Sequence, residues 1–130
     1  MQFVKTVVLV DDDLDDHEIF KSACAAVDDT ISVTGFESGE EVIGALSKTR
    51  VLPEMIFLDL NMPRMNGVEV LEALRNISHL MTVSVIVYTT FVDSRIRSRC
   101  LQLGAADVIE KPNSFDGLCE MLGNLLKLPV

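Results

Sequence analysis

The chain has 130 residues, with 11 Lys or Arg against 20 Asp or Glu, so its formal net charge at pH 7 is −9. This length predicts one domain, because domains usually contain about 100–200 residues. The acidic excess argues against direct binding of nucleic acid, which needs a basic surface. A hydrophobic share of 48% excludes a disordered chain. We therefore expect one globular domain over residues 1–130.

Cysteine spacing and hydropathy indicate the compartment. Cys24, Cys100 and Cys119 have no metal-binding spacing, which predicts free thiols in a reducing environment. No apolar run approaches the ~18 residues that a membrane span needs. The N-terminus lacks the apolar core and cleavage site of a signal peptide. These features predict a cytoplasmic protein without membrane association.

Short apolar runs alternate along the chain with amphipathic segments, which predicts five strands and five helices. In chain order they are a strand at Lys5–Val10, a helix at Leu14–Val27, a strand at Ile31–Phe36, a helix that opens at Ser38, a strand at Met55–Leu58, a helix at Gly67–Ile77, a strand at Val83–Tyr88, a helix that buries Ile96, Cys100 and Leu103, a strand at Ala106–Ile109, and a helix from Phe115 that ends near Leu128–Pro129. Ser38 and Glu41 have the spacing of a capping box. Gly104 follows the fourth helix, where a left-handed cap is expected.

Five strand–helix repeats with short connections predict right-handed crossovers and a parallel sheet with helices on both faces. The expected fold class is α/β, as a flavodoxin-like (βα)5 three-layer sandwich with strand order 2-1-3-4-5. In such sheets, ligands bind at the carboxyl ends of the strands. The residues that follow each strand are therefore the candidates for function.

Polar residues follow four of the five predicted strands, namely Asp11 and Asp12, Asp59, Thr89 and Lys111. Each has an ordinary explanation by itself. An Asp after a strand often caps a helix, a loop Lys is often solvated, and Thr is common in strands. If these ordinary explanations held, all four strand ends would carry a suitable polar residue only by chance. We therefore interpret the set as one site.

The chemistry of this set points to phosphoryl transfer. Three carboxylates in one pocket repel each other and need a hard divalent cation, for which Mg²⁺ is suited because it takes oxygen ligands. With that charge neutralised, a carboxylate oxygen of Asp59 can attack phosphorus and form an acyl phosphate. The cation, Lys111 and the Thr89 hydroxyl would each contact the phosphoryl oxygens.

Acidic residues are dense between Asp11 and Glu18, and not all of them fit this role. Asp13, Asp15 and Asp16 fall at the first turn of the first helix, where negative charge is favoured by the helix dipole. We interpret them as stabilising the helix start and adding negative charge to the rim of the pocket, and not as metal ligands. His17 lies on the same helix and is interpreted as a surface residue, without a role in phosphotransfer.

Four segments resemble the receiver domain of two-component response regulators, and they cover essentially the whole chain. They are VVLVDDD (Val7–Asp13), FLDLNMPRMNG (Phe57–Gly67), VIVYTT (Val85–Thr90) and GAADVIEKP (Gly104–Pro112). The resemblance implies that Asp59 is the phosphoacceptor and that Thr89 and Lys111 sense the phosphoryl group.

The resemblance also implies the ligands and partners. Asp11 and Asp12 match the acidic pair that binds Mg²⁺ or Mn²⁺ together with Asp59, with Asp12 as the more direct ligand, and Asn61 would give the metal its backbone carbonyl. The Lys111–Pro112 peptide resembles a cis bond of the family. The phosphodonor would be a histidine kinase or phosphotransfer protein, and the target a downstream protein. The domain would act as a signalling module that catalyses only its own phosphorylation and dephosphorylation.

Three features depart from the family pattern. Val108 stands where the family usually has Tyr or Phe, so coupling would run through Thr89 and the backbone. Phe91 is large and apolar, and we expect it to slow dephosphorylation. About 18 residues follow Pro112, which predicts no output domain and a stand-alone receiver that signals through the face of helix 4, strand 5 and helix 5. Arg95, Arg97 and Arg99 on helix 4 form either a solvated surface or a partner or homodimer surface.

Two other functions stay open on the sequence. A haloacid-dehalogenase-like phosphatase would use Asp11 as nucleophile in the run Asp11-Asp12-Asp13, but Asp15 stands where that family has Thr or Val. The chain is also too short for that family's cap. A pseudo-receiver scaffold would need no phosphorylation, although no residue of the expected pocket is missing.

Overall fold

The computed structural model describes residues 2–128, and within them five strands alternate with five α-helices. The elements are β1 (Thr6–Val10), α1 (Leu14–Val27), β2 (Ser32–Phe36), α2 (Gly39–Lys48), β3 (Met55–Leu58), α3 (Gly67–Arg75), β4 (Ser84–Thr89), α4 (Ser94–Gln102), β5 (Asp107–Glu110) and α5 (Phe115–Leu125). A short 3₁₀ helix, Ser78–Leu80, precedes β4. The predicted order of elements is confirmed, and the predicted strand ends differ by one residue or less.

All five strands are parallel, in the order β2-β1-β3-β4-β5. This confirms the flavodoxin-like arrangement. In the register of the sheet, Val10 of β1 lies opposite Leu58 of β3, which in turn lies opposite Val87 of β4. The carboxyl ends of the three central strands are therefore level with one another.

Side chains alternate along each strand and divide the core into two layers. Val7 and Leu9 pack on the face covered by α1 and α5. Val8 and Val10 pack on the opposite face, which α2, α3 and α4 cover. Because β1 is buried on both faces, it needs the continuous apolar sequence that identified it.

Three aromatic rings anchor the layer under α1. Phe20 of α1, Phe57 of β3 and Tyr88 of β4 meet edge to face, with centroids 5.1, 5.8 and 6.0 Å apart. Each such pair contributes about 0.5–1.5 kcal/mol beyond the burial of its surface. These contacts fix α1 above the centre of the sheet and thereby place the start of the helix at the sheet's carboxyl edge.

The helix caps differ in part from the prediction. Ser38 caps α2 by accepting from the N–H of Glu41, as expected, but the Glu41 carboxylate accepts from the N–H of Glu37 instead of Ser38. The predicted capping box is therefore wrong in its second half. A complete capping box occurs at α3, between Asn66 and Glu69.

The last helix ends earlier than the sequence pattern predicts. α5 ends at Leu125, because the following residues leave the helix to pair with the N-terminal segment. Leu128 donates its N–H to the carbonyl of Gln2, and Lys127 forms an antiparallel bridge with Phe3. The other part of the predicted helix end, Pro129, lies outside the described residues.

The three cysteines are free thiols, as predicted, and Cys24 and Cys100 are buried. Burial, with a smaller contribution from the charge of the nearby Cys119, raises the pKa of the Cys24 thiol to about 12. The thiol is therefore protonated and unreactive at neutral pH. Within residues 2–128, no helix combines the length and apolar character needed to cross a bilayer.

We expect Gly104 to be required for the turn between α4 and β5. Its φ of +103° is a conformation that other residues adopt only with strain, and an added Cβ would lie 2.8 Å from Cδ of Arg75. Gly104→Ala should lower the free energy of unfolding by about 1–3 kcal/mol. Gly44→Ala is the matched control, because Gly44 is exposed inside α2 with open space around it. It should raise stability by about 0.5–1 kcal/mol. Equal effects in urea unfolding would contradict this account.

Candidate functional site

The carboxyl edge of the sheet brings together Asp11, Asp59, Thr89 and Lys111, as the sequence predicted. Asp11 and Asp59 each come one residue after a registered pair of β1 and β3, so their backbones are neighbours. Their place in the alternation along the strands points both side chains toward the α1 and α5 face. Lys111 follows β5 and reaches across from the other side.

Lys111 lies at the centre of the site, with a side chain only 12% exposed. Its Nζ donates to Oδ2 of Asp11 at 2.8 Å, to Oδ2 of Asp16 at 2.9 Å and to Oδ2 of Asp59 at 3.3 Å. Burial acts to lower the pKa of Lys111, but the hydrogen bonds to Asp11 and Asp16 and the charges of Asp59 and Asp11 outweigh it and raise the pKa. Lys111 is therefore a permanent cation at neutral pH.

Asp59 is buried, at 4% exposure, and its carboxylate is held by donors from two other segments. Its Oδ1 accepts from the Thr89 hydroxyl at 3.0 Å and from the N–H of Asn61 at 3.1 Å. The Asn61 amide donates in turn to the hydroxyls of Thr89 and Thr90. These bonds orient the Asp59 carboxylate and link the loop after β3 to the end of β4.

Asp11 is fully buried, and both of its carboxylate oxygens are bonded. Oδ1 accepts from the N–H of Asp13 at 3.0 Å, and Oδ2 accepts from Lys111. Burial raises the pKa of the Asp11 carboxyl above its usual value, although the hydrogen bonds from Lys111 and Asp13 oppose that shift. A buried carboxylate next to a second one favours a bound cation.

Asp11, Asp12 and Asp59 form the cluster that best fits a metal ion. Each offers one oxygen, and these three oxygens lie within 4.8 Å of one another. Asp12 is exposed while the other two are buried. An all-oxygen set open to solvent on one side suits Mg²⁺ or Mn²⁺, because these ions take carboxylate ligands and Mg²⁺ keeps several of its waters.

Asp16, which the sequence placed at the helix start and at the rim of the pocket, makes a contact that the sequence did not predict. Asp13 caps α1 by accepting from the N–H groups of Asp15 and Asp16, as predicted. The Asp16 carboxylate, however, turns inward to Lys111. A signal was present in the sequence, because Asp16 lies four residues before the buried Phe20 and so shares its face of the helix.

Two further expectations are wrong. His17 is not a surface residue, since it is 6% exposed and its Nε2 donates to the backbone carbonyl of Asp11 at 2.6 Å. The Lys111–Pro112 peptide is trans, and no peptide bond between residues 2 and 128 is cis. Val108, which stands where the family usually has an aromatic residue, is buried in the core layer under α2, α3 and α4.

Comparison with known proteins shows the family of the chain. The family described as the response regulator receiver domain matches residues 7–123. The chain belongs to this family. The match gives no support to the phosphatase interpretation.

Several relatives of this receiver domain are known. Two-component response regulator ORR1 of Oryza sativa subsp. japonica is 33% identical over 115 residues, which are 84% of this chain and 50% of that protein. Transcriptional regulatory protein PrrA of Mycobacterium tuberculosis is 36% identical over 109 residues, 82% of this chain and 43% of that protein. The chain thus spans half or less of the length of these relatives.

A solved receiver structure confirms the fold. The response regulator receiver domain from Rhodospirillum rubrum superimposes with a TM-score of 0.79 at 26% identity, covering 92% of this chain and 89% of that one.

The receiver domain should gain stability from Mg²⁺ through its three clustered carboxylates. At a free Mg²⁺ concentration of about 100 Kd, the gain should be about 2.7 kcal/mol, seen as a rise in Tm of several degrees. Asp12→Asn should remove most of this rise, and in EDTA it should be at least as stable as the wild type because one repulsive charge is gone. Asp29→Asn, an exposed Asp after the far end of α1, should keep the full rise. Equal Mg²⁺ responses in the two variants would contradict the assignment of the site.

Proposed function

We propose that this receiver domain accepts a phosphoryl group on Asp59 from a phosphohistidine of a histidine kinase or phosphotransfer protein, and that the phosphorylated form acts on a downstream protein. The observation that carries the proposal is the environment of Asp59. Its carboxylate is oriented by Thr89 and Asn61 and faces the ammonium group of Lys111. Phosphoryl transfer depends mainly on such positioning and charge stabilisation.

In the proposed reaction, a carboxylate oxygen of Asp59 attacks phosphorus while the phosphorus–nitrogen bond of the donor breaks. The electron pair of that bond remains on the leaving imidazole, which takes up a proton. Asp59 needs no base, because its carboxylate is the nucleophile. Return of the domain to its starting state requires water to attack the acyl phosphate, so both reactions occur on the domain's own side chain.

Asp11, Asp12 and Asp59 would hold a Mg²⁺ or Mn²⁺ ion beside the phosphoryl group. When bound, this ion neutralises negative charge on the carboxylates and on the phosphoryl oxygens. Without it, the carboxylates of Asp11, Asp12, Asp16 and Asp59 meet at this edge of the sheet, and among residues 2–128 only Lys111 forms ion pairs with any of them. A dianionic phosphoryl group would meet strong repulsion there.

Lys111 and Thr89 would report the new charge to the rest of the domain. The Thr89 hydroxyl donates to Asp59, and Lys111 is divided among three carboxylates. A phosphoryl group on Asp59 offers both donors new oxygen acceptors with more negative charge. Val108 cannot act as an aromatic switch, so we infer that the change passes through Thr89 and the backbone of β4.

Incubation with acetyl phosphate and MgCl₂ tests the phosphoacceptor. The wild type should gain one phosphoryl group, and Asp59→Asn should gain none, because an amide cannot attack phosphorus in this way. Intact-protein mass spectrometry detects the adduct, and peptide mapping after hydroxylamine treatment locates it. Asp29→Asn, with the same charge change outside the site, should react like the wild type.

Two outcomes of this experiment would contradict the proposal. An adduct on Asp11, or steady phosphate release that requires Asp11 but not Asp59, would favour the phosphatase. No adduct in the wild type would favour the scaffold.

Phe91 should set the lifetime of the phosphorylated form. It follows Thr89 and Thr90, which Asn61 bridges to the loop after β3, and its ring is 61% exposed. An apolar ring at this rim offers water no hydrogen bond, so Phe91→Glu should shorten the lifetime severalfold by orienting a water molecule. Decay of the mass-detected adduct measures this.

The matched control is Met81→Glu, which places the same charge at an exposed apolar site at the opposite edge of the sheet. It should leave the lifetime unchanged. A lifetime that does not differ between Phe91→Glu and the wild type would refute the role of Phe91.

The basic surface of α4 remains the predicted place for a partner or a second copy of the chain. Arg95, Ile96 and Arg99 line a cavity of about 170 Å³ between α3 and α4. Arg97 is engaged with Asp107 at 3.7 Å. Cations around an apolar cavity, on a protein of net charge −9, favour an acidic partner surface with an apolar side chain at its centre.

A further inference from the structure

His17 is a buried polar side chain of α1 to which the phosphoryl-transfer mechanism assigns no role. We propose that His17 is a positioning residue, which fixes the loop between β1 and α1 so that Asp11 and Asp12 are correctly placed to bind a divalent cation. This inference rests on the proposed function, because it concerns the proposed metal ligands. It is carried by two observations, the hydrogen bond of the imidazole and the space reserved for it.

The hydrogen bond fixes the peptide that joins the two acidic residues. The Nε2 of His17 lies 2.6 Å from the carbonyl oxygen of Asp11. Because a carbonyl only accepts, Nε2 must carry the proton. The N–H of Asp11 donates to the carbonyl of Phe36 at 3.0 Å. Asp11 is therefore held on both sides, by β2 through its N–H and by His17 through its C=O, and rotation of the Asp11–Asp12 peptide is blocked.

The space for the imidazole is provided by Gly35, in the interior of β2. Glycine in a strand often marks the close approach of another group. A Cβ added to Gly35 would collide with Nδ1 of His17 and would lie 2.6 Å from its Cε1. The third-nearest atom, 3.5 Å away, is also part of the imidazole. A larger residue at this position would therefore displace the side chain of His17.

The start of α1 does not need the imidazole. Asp13 already accepts from the N–H groups of Asp15 and Asp16, and the N–H of His17 donates to the carbonyl of Asp13. What the imidazole adds is the bond to Asp11. Mutation of residues that hydrogen-bond to metal ligands typically lowers metal affinity by about 10–100-fold.

Two variants of similar size separate positioning from packing. The side-chain nitrogen of Gln reaches about as far as Nε2 of His, whereas that of Asn reaches only as far as Nδ1. His17→Asn should weaken Mg²⁺ binding about tenfold, and His17→Gln should restore most of the affinity. Calorimetric titration with MgCl₂ measures the Kd, and urea unfolding in EDTA measures stability separately. Unchanged Mg²⁺ affinity in His17→Asn would overturn the inference, whatever its stability.

His79→Asn is the matched control. The Nε2 of His79 also bonds a backbone carbonyl, that of Leu46 at 2.7 Å, but it does so from the 3₁₀ helix before β4, at the opposite edge of the sheet. This variant loses the same kind of bond and should keep the wild-type Kd for Mg²⁺. An equal loss of affinity in both Asn variants would show a general effect of instability and would overturn the inference.

The Gly35 contact gives an independent test. Gly35→Ala should weaken Mg²⁺ binding in the wild type, because the methyl group displaces the imidazole, although no polar group is removed. In a His17→Ala background the same change should add little, since within residues 2–128, apart from the chain neighbours of Gly35, the atoms closest to the new Cβ all belong to His17. Additive losses of affinity would contradict the proposed coupling.

Nitrogen NMR of the imidazole gives a readout that does not depend on metal. The wild type in EDTA should show a proton on Nε2 of His17, and an imidazole whose Nε2 carries no proton would overturn the inference. Failure of the two proposals can be told apart in the calorimeter. A wild type that binds no Mg²⁺ contradicts the metal site and this inference together, whereas Mg²⁺ binding that His17→Asn leaves unchanged contradicts this inference alone.

Discussion

Lys111 donates hydrogen bonds from its ammonium group to Asp11, Asp16 and Asp59 at the carboxyl edge of the sheet, at 2.8, 2.9 and 3.3 Å. Carboxylates buried this closely are tolerable only when they are paired and hydrogen-bonded. The ammonium group links the ends of β1, β3 and β5 with the start of α1. Because the carboxylates outnumber the ammonium group, the site keeps an excess of negative charge, which favours binding of a divalent cation.

The fold around this contact explains why the site is rigid where it must be and open where chemistry occurs. The aromatic cluster of Phe20, Phe57 and Tyr88 fixes α1 over the sheet. Asp11 and Asp59 extend two strands that are buried on both faces, so their backbones have little freedom to move. Asp12, by contrast, is exposed, which leaves one side of the cluster accessible to a hydrated ion and a phosphodonor.

Much of the site could be predicted because parallel strands end at one edge. Asp11, Asp59, Thr89 and Lys111 each follow or end an apolar run, and strand order alone brings them together. Asp16 was assigned to the helix start and the pocket rim, and His17 to the helix surface, because the dense acidic run around them hides the helical period. Their inward position depends on the rotation of α1, and Phe20 sets that rotation by packing against the sheet.

The order of elements, the topology of the sheet and the set of residues at its carboxyl edge could be predicted from the sequence, since these depend on local periodicity and on the handedness of short crossovers. Which polar groups touch one another depends instead on how the segments pack together. That Lys111 is shared with Asp16, that Glu41 bonds Glu37 rather than Ser38, and that His17 fits only because Gly35 lacks a side chain all follow from contacts between segments. Such contacts are set by the packing of the helices on the sheet, and the residue pattern of a single segment carries no information about that packing.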